Sequence, residues 1–263
     1  MHCEATVNAT EDENGRPVEW LTPINNYVND EGHMVLKASY DDTNKRYQGT
    51  EICTNDYYSY GYYEIRAKVN VSQGICAAFW LCGSRDAASQ IEYELDMFEC
   101  FGSFPTVLKH TALAHYYPNG STGEKQSTQN LHNNVEELTS LYKTEYLSSL
   151  ATEKKLGTGY IDGKSFFDVG TPTEWHTYGL DWRKDSITWY IDGVATMKLD
   201  IPEEGVTGAN TRLQYFYNEP MQLRLSVYCD RDVAGLTGQV GETTDWENGS
   251  SMVIDYVRIY QYD

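Results

Sequence analysis

Short segments in which hydrophobic and polar residues alternate run through most of this 263-residue chain, and they limit its fold more than any other feature. Alternation with a period of two, together with abundant Tyr, Thr and Val, is typical of β-strands, and clusters of Gly, Asn and Asp separate the segments. The segments are residues 32–40, 60–70, 75–82, 92–100, 108–117, 174–183, 186–192, 221–228 and 252–261. Because helical patterns do not alternate with them, the sequence predicts an all-β sandwich of two packed antiparallel sheets.

Residues 134–150 depart from this alternation. Their hydrophobic residues recur at helical spacing, and Asn134 stands at the position of an N-cap with Glu137 three residues later. We therefore predict a short amphipathic helix inside an insertion that spans about residues 118–172. The insertion either decorates the edge of the sandwich, which we favour, or forms one wall of a binding cleft.

The length and composition predict one domain without a membrane span. The chain has no internal repeat, so residues 1–263 are expected to form a single domain. Hydrophobic residues make up 40% of the chain, but no apolar stretch approaches the roughly 18 residues that a transmembrane helix needs. We expect a monomer.

The net charge of −19 narrows the classes of partner. Such a field repels nucleic acids and anionic membranes, so neither is an expected partner, and neutral or weakly charged substrates fit better. An acidic surface that only maintains solubility is the alternative. The six cysteines lack the CxxC spacing of metal sites and are too sparse for a disulfide scaffold, so we predict mostly buried thiols, no metal site and no cofactor.

Three carboxylates within six residues are the strongest chemical signal. In the segment Glu94-Leu95-Asp96-Met97-Phe98-Glu99, the strand period places Glu94 and Asp96 on one face and Leu95 and Met97 on the other. Glu99 is one residue out of phase. A β-bulge, which adds one residue to a strand, would return Glu99 to the face of the other two carboxylates.

The cost of this arrangement points to catalysis. Adjacent like charges raise one another's pKa, and no Lys or Arg lies between residues 86 and 108. Hydrolysis of a glycosidic bond needs one ionised carboxylate and one protonated carboxyl group. A solvated acidic edge strand is the alternative, but it would not require Leu95, Met97 and Phe98 beside the charges.

The spacing also indicates the stereochemical course. After correction for the bulge, Glu94 and Glu99 are four strand steps apart, or about 13 Å between Cα atoms. Two long side chains that lean toward each other can bring their carboxyl groups to roughly 5–5.5 Å, the separation of retaining glycosidases. The sequence therefore predicts retention.

The carboxylate motif resembles the active-site strand of glycoside hydrolase family 16, the group of laminarinases, lichenases, agarases and carrageenases. Further segments that resemble the family in the same order are Tyr60–Lys68, Ala78–Leu81, His176–Trp182, Trp189–Gly193 and Ile254–Tyr260. The resemblance implies a concanavalin-like jelly roll of two curved antiparallel sheets with a substrate cleft on the concave face. It also implies Glu94 as the nucleophile, Asp96 as its helper and Glu99 as the acid/base of an endo-acting enzyme.

The same resemblance suggests five substrate-binding residues. Trp80 offers a flat ring to a sugar face, although a core tryptophan is the alternative. His115 matches a polar cleft residue of the family, or it is a hydrogen-bonded structural histidine. Arg66 and Glu64 alternate onto one face of their strand and are expected to hold sugar hydroxyls unless they form a plain surface ion pair. Trp182 completes the set.

The predicted substrate is a β-1,3- or mixed β-1,3/1,4-linked glucan, because the expected cleft residues Trp80, Tyr116, Tyr117 and Tyr228 are aromatic and neutral. A galactan such as agar, porphyran, carrageenan or a host glycan is the alternative, since Arg224 could bind a sulfate group. A non-catalytic carbohydrate-binding module and a transglycosylase are further alternatives.

Two segments depart from the family pattern. Laminarinases usually carry a Trp-Pro pair and a Gly before the first Glu, where this chain has 89–93 (SQIEY), and Ser226 stands where glucanases usually have Asn. Family members often bind a structural calcium ion, for which Asp255 is a candidate, but one acidic residue does not define a site. A polysaccharide substrate implies an extracellular enzyme. No signal peptide is visible after Met1, and we expect that a leader was trimmed.

Overall fold

The computed structural model describes residues 2–3, 20–22, 25–84, 91–117, 127–130, 135–137, 166–169, 171–201, 219–229, 237–238, 240–241 and 243–262. The strands are β1 (His2–Cys3), β2 (Trp20–Leu21), β3 (Asn26–Val28), β4 (Met34–Lys37), β5 (Ser39–Asp41), β6 (Arg46–Cys53), β7 (Gly61–Val71), β8 (Ile75–Gly83), β9 (Ile91–Phe101), β10 (Val107–Tyr116), β11 (Ser127–Asn130), β12 (Val135–Glu137), β13 (Phe166–Asp168), β14 (His176–Trp182), β15 (Ser186–Ile191), β16 (Val194–Asp200), β17 (Met221–Cys229) and β18 (Ser250–Gln261).

Within these ranges the strands form two sheets. The first follows the order β1-β6-β17-β8-β9-β10-β11, with β13 beside β10 and with β2 and β5 beside β6. The second follows the order β12-β16-β15-β14-β7-β18-β4-β3. All the pairings are antiparallel except that of β2 with β6. The predicted sandwich of two antiparallel sheets is therefore confirmed.

Alternation along the strands builds the core between the sheets. In β7 every second residue from Gly61 to Val71 is buried, and the intervening residues are partly exposed. The largest fully buried side chains include Trp182 and Trp189 from the second sheet and Phe79 and Phe98 from the first. Burial of such large apolar surfaces is the main favourable contribution to folding.

An Asp-Gly pair predicts a tight hairpin turn, and Asp192-Gly193 forms the turn between β15 and β16. Asp192 and Gly193 have φ angles of +51° and +75°, as a two-residue turn between twisted strands requires.

The predicted helix over 134–150 is wrong where the structure describes it. Val135–Glu137 forms strand β12, which pairs with β16 at the edge of the second sheet. Pairing with an exposed sheet edge outweighs the local helical spacing at these residues. The rest of 134–150, and most of the predicted insertion over 118–172, lie outside the described residues. No helix among the described residues has the length and hydrophobicity that a membrane crossing requires.

Candidate active site

The predicted β-bulge is present in β9. Two consecutive residues of β8 pair with Phe98 and Asp96, so Met97 is an extra residue in the ladder. On the other side of β9, Lys109 and Thr111 of β10 pair with Glu99 and Asp96, so two steps along β10 match three steps along β9. Met97 and Phe98 are both buried, as expected where two successive residues face the core. The bulge thus places Glu99 on the face of Glu94 and Asp96.

We call the side of the first sheet that bears these three residues the carboxylate face. It is recessed, since the side chains of Glu94 and Glu99 are only 15% and 12% exposed and Asp96 is buried. Glu92, two residues before Glu94, adds a fourth carboxylate to this face. Glu92 is not among the site residues predicted from the sequence, although its even spacing from Glu94 is a sufficient signal.

Glu94 has a histidine partner from the neighbouring strand. Nε2 of His115 in β10 lies 2.8 Å from Oε2 of Glu94, and the His115 side chain is only 3% exposed. Backbone register pairs His115 with Glu92 rather than Glu94, so the imidazole reaches diagonally along the sheet. His115 is therefore on the carboxylate face, where we predicted it, and it can fix the orientation of the Glu94 carboxylate.

Glu99 has two donors, and both come from β10. Lys109 Nζ lies 3.3 Å from Oε2 of Glu99, and Thr111 Oγ1 donates to the same oxygen at 3.2 Å. The Lys109 side chain is only 3% exposed, so this ion pair is shielded from water. Lys109 lies just outside residues 86–108, which contain no Lys or Arg, and strand pairing brings it to Glu99. The expectation of carboxylates without a neighbouring cation is therefore wrong for Glu99.

Glu92 and Glu94 surround a thiol and a phenol. Cys82 lies across from Glu94 on β8, and the Tyr117 hydroxyl donates to Oε1 of Glu92 at 3.2 Å. Burial, followed by the charges of Glu94 and Glu92, raises the pKa of Cys82 well above its usual value. Burial and the charge of Glu92 also raise the pKa of Tyr117. Both groups therefore stay protonated at neutral pH and act as donors beside the carboxylates.

Trp80 lies on the carboxylate face and not in the core. It pairs with Asp96 from β8, is partly exposed, and its indole Nε1 donates to Ser226 Oγ at 3.2 Å. Its neighbours Phe79 and Leu81 are fully buried on the opposite side. A partly exposed ring next to the carboxylates has the position that sugar stacking requires.

Arg224 borders Trp80 but is held by other groups. Its guanidinium carbon lies 5.3 Å from the centre of the Trp80 ring. Its nitrogens donate to Glu51 Oε1 at 2.6 Å and to Gln222 Oε1 at 3.0 Å, and the Tyr228 hydroxyl donates to the other oxygen of Glu51. The Arg224 charge is thus balanced by a buried carboxylate.

Three predicted substrate-binding residues lie away from this face. Glu64 and Arg66 are on β7 of the second sheet and alternate with its buried residues, so they point outward on the far side of the sandwich. Arg66 donates to Asp255 at 2.6 Å, and Tyr256 donates to Glu64 at 2.9 Å. Trp182 is fully buried in the core. The prediction that these three residues bind substrate in the cleft is corrected.

The ion pair with Arg66 also bears on the calcium candidate. The Asp255 carboxylate already accepts a hydrogen bond from a guanidinium, which does not favour a cation there. In the part of the chain that the structure describes, no group of three or more His, Cys, Asp or Glu residues could hold a metal ion. The side chain of Tyr116, predicted to line the cleft, lies outside the described residues.

The carboxylate face combines the groups that glycosidic bond cleavage uses. Two glutamates lie on one strand with a third carboxylate between them, each glutamate has its own hydrogen-bond donors, and a partly exposed tryptophan lies beside them. One carboxylate can act as a nucleophile and the other as a proton donor.

A family profile and a curated relative both match most of this sequence. The profile of the family described as Glycosyl hydrolases family 16 matches residues 14–146 and 155–257. A relative, endo-1,3-1,4-beta-glycanase ExsH from Rhizobium meliloti (strain 1021), is 25% identical over 205 residues. That match covers 78% of this chain and 31% of the relative, so the chain spans about a third of that protein's length.

Solved structures share the fold. The laminarinase from Rhodothermus marinus is 18% identical with a TM-score of 0.64, and the superposition covers 99% of this chain and 90% of that one. The kappa-carrageenase from Pseudoalteromonas carrageenovora, bound to a kappa-carrageenan oligotetrasaccharide, is 19% identical with a TM-score of 0.58, covering 92% and 84%. The predicted jelly-roll class is confirmed. Because the family profile covers most of the chain, this protein belongs to family 16 of the glycosyl hydrolases.

Proposed function

We propose that this chain is a retaining endo-glycosidase that hydrolyses a β-1,3- or mixed β-1,3/1,4-linked glucan. The observation that carries the proposal is the bulge at Met97, because it brings Glu94, Asp96 and Glu99 onto one recessed face. Membership of the family and the β-glycanase relative support the reaction class.

In the first step, a Glu94 oxygen attacks the anomeric carbon while Glu99 donates its proton to the glycosidic oxygen. The bond to the leaving sugar breaks and a glycosyl ester forms on Glu94. In the second step, ionised Glu99 removes a proton from water, and the water oxygen displaces Glu94 from the anomeric carbon. Asp96 lies between them on β9, and we assign it the role of helper, in which it would hydrogen-bond to either carboxyl group as the charge moves.

The donors around the two glutamates support these roles. His115 binds one oxygen of Glu94 and thereby limits rotation of the nucleophile. Lys109 and Thr111 both donate to Oε2 of Glu99, so Oε1 is the oxygen that we propose for proton transfer. A charged donor is also suited to the second step, in which Glu99 must be ionised.

The groups beside the carboxylates favour a neutral glucan. Trp80 offers a ring face to an uncharged sugar, and hydroxyl, amide and carboxylate groups around it can bind sugar hydroxyls. The ion pair with Glu51 reduces the attraction of Arg224 for a sulfate group, which weakens the galactan alternative. The carrageenase neighbour does not decide between them, because fold alone does not define the substrate.

We also propose that the enzyme acts outside the cell, since a polysaccharide does not cross the cell membrane, and that it is a monomer. Size-exclusion chromatography with light scattering and fractionation of the native host test these two points.

A panel of polysaccharides tests the substrate. Incubation with laminarin, lichenan, agarose, porphyran and κ-carrageenan should release reducing ends from one or both glucans and from none of the galactans. Oligosaccharides from a galactan alone would contradict the glucan assignment, and binding without cleavage of any polymer would indicate a carbohydrate-binding module. Product analysis with and without an added acceptor sugar separates a hydrolase from a transglycosylase.

A further inference from the structure

A second β-bulge lies across the core from the bulge in β9. In the pairing of β15 with β16, consecutive residues Trp189 and Tyr190 pair with residues two apart on β16, which makes Thr196 the extra residue. Thr196 and its neighbour Met197 are both fully buried, as Met97 and Phe98 are in the first sheet. Each sheet therefore turns an extra residue toward the core at this level.

One histidine side chain joins the two bulges. Nδ1 of His110, on β10, lies 2.6 Å from the carbonyl oxygen of Met97, and its Nε2 lies 3.0 Å from Oγ1 of Thr196. The Thr196 hydroxyl also lies 3.2 Å from the carbonyl oxygen of Trp189. The indole of Trp189 in turn donates to the carbonyl oxygen of Asp96 at 2.8 Å. The side chains of Trp189 and His110 thus bind two successive backbone carbonyls of β9, those of Asp96 and Met97, at the bulge.

The protonation of His110 follows from its surroundings. Only a donor can face a carbonyl oxygen, so Nδ1 carries the hydrogen of the neutral ring. Nε2 then accepts the single hydroxyl hydrogen of Thr196, which is therefore not donated to the Trp189 carbonyl. Burial lowers the pKa of His110 to about 3, so the ring is neutral. His110, Thr196 and Trp189 are all fully buried, and each hydrogen bond among them is therefore shielded from water.

We call the hydrogen-bonded side chains of His110, Thr196 and Trp189 the bridge. Their polar chemistry suits the positioning of backbone groups better than simple packing. An apolar residue at position 110 would fill the space at lower desolvation cost, but it would remove the ring N–H that binds the Met97 carbonyl. A strand that loses its bulge moves later side chains to the opposite face. The residue that would move in β9 is Glu99.

We propose that His110, with Thr196 and Trp189, is a positioning residue that holds the bulge in β9 and so keeps Glu99 aligned with Glu94. The proposal rests on the glycosidase function proposed above. The three side chains act through the backbone of β9 and need not touch the substrate.

Paired variants separate positioning from stability. His110→Phe removes both hydrogen bonds, whereas His110→Asn keeps an amide N–H close to the place of Nδ1. Thr196→Val and Thr196→Ser form a second pair. Leu36→Ala is the control for stability, because Leu36 is fully buried on β4, distant in the strand order from β15 and β16, and its truncation also destabilises the fold.

We expect His110→Phe and Thr196→Val to lower kcat on laminarin or lichenan roughly ten- to hundredfold, because small misplacements of a catalytic group have effects of this size. KM should change little, and His110→Asn and Thr196→Ser should restore most of kcat. Leu36→Ala should lower Tm at least as much as His110→Phe while keeping kcat within about twofold of the wild type. If His110→Phe lowers Tm but keeps the wild-type kcat, the bridge serves stability alone and the proposal is wrong.

Hydrogen exchange gives a readout that does not depend on the substrate. Peptides that cover β9 should exchange faster in His110→Phe than in Leu36→Ala when both are compared with the wild type. If the wild type cleaves no polysaccharide but this difference is present, the bridge holds the bulge and the glycosidase proposal fails. If the wild type is active and β9 exchanges equally in the two variants, the positioning proposal fails.

Discussion

Two glutamates on one face of β9 differ in their partners, and this difference predicts different roles. Glu94 is bound by the imidazole of His115, whereas Glu92 accepts from the hydroxyl of Tyr117. We expect Glu94→Gln to lower kcat by several orders of magnitude, because the amide keeps the shape but is not a nucleophile. Glu92→Gln, a matched change two residues earlier, should keep most of the activity. Reducing-end release and Tm measured on both variants test this, and equal losses would mean that the nucleophile is misassigned.

Glu99 permits a separate test of the acid/base role. In Glu99→Gln, an aryl β-glucoside oligomer with a good leaving group should still form the glycosyl ester, since it needs no proton from the enzyme. Azide should then accelerate turnover, because its attack on the ester needs no general base. The expected product is a glycosyl azide with the β configuration. Lack of both acceleration and azide adduct would exclude Glu99 from this role.

At the level of strands and turns, local sequence patterns were sufficient to predict much of the structure. A period of two is a local property, so the main strands and the bulge could be predicted from the order of residues. The phase of Glu99 alone required an extra residue in β9, and the structure has it at Met97. The turn at Asp192-Gly193 was predicted for the same reason, because its φ angles depend on these two residues.

Nonlocal pairing explains what could not be predicted. Alternation places Glu64 and Arg66 on a common face of β7 but does not say which sheet contains β7 or which way that face points. Alternation along β14 likewise does not say which of its faces packs in the core, and Trp182 is on the buried face. Lys109 reaches Glu99 only because β10 pairs with β9 in one particular register. The carboxylates could therefore be predicted from the sequence, but most of the groups that surround them could not.

The hairpin turn supports a prediction about backbone strain. A Cβ atom at Gly193 would meet no atom within 4 Å, so Gly193→Ala changes only the backbone preference at a φ of +75°. We expect it to lower the free energy of unfolding by roughly 1–2 kcal/mol. Gly241 is equally open without a positive φ, so Gly241→Ala should be nearly neutral. Urea denaturation of both variants measures the difference, and equal losses would show that the turn is not strained by a side chain.

The bridge between the sheets predicts a dependence of stability on pH. Burial lowers the pKa of His110 to about 3, whereas the unfolded chain titrates near 6.5. As the pH falls from about 6.5 toward 3, the unfolded chain binds a proton that the folded chain refuses, so stability decreases. The wild type should therefore lose more stability than His110→Asn between pH 7 and pH 4.5 in urea denaturation. Parallel losses would mean that His110 is not buried as a neutral ring.

At the scale of the whole molecule, the net charge and the ion pair of Arg224 with Glu51 predict how activity depends on salt concentration. The net charge of −19 repels a polysulfated chain at low ionic strength, where the Debye length is about 30 Å at 0.01 M. A neutral glucan carries no charge to be screened, so KM for laminarin should change by less than about twofold when NaCl is raised to about 0.5 M. κ-Carrageenan should remain uncleaved under both conditions, since Glu51 balances the Arg224 guanidinium beside Trp80. Initial rates on both polymers at the two salt concentrations decide the matter. Cleavage of κ-carrageenan that weakens as salt is added would mean that cations on the carboxylate face attract sulfate groups more strongly than the whole molecule repels them.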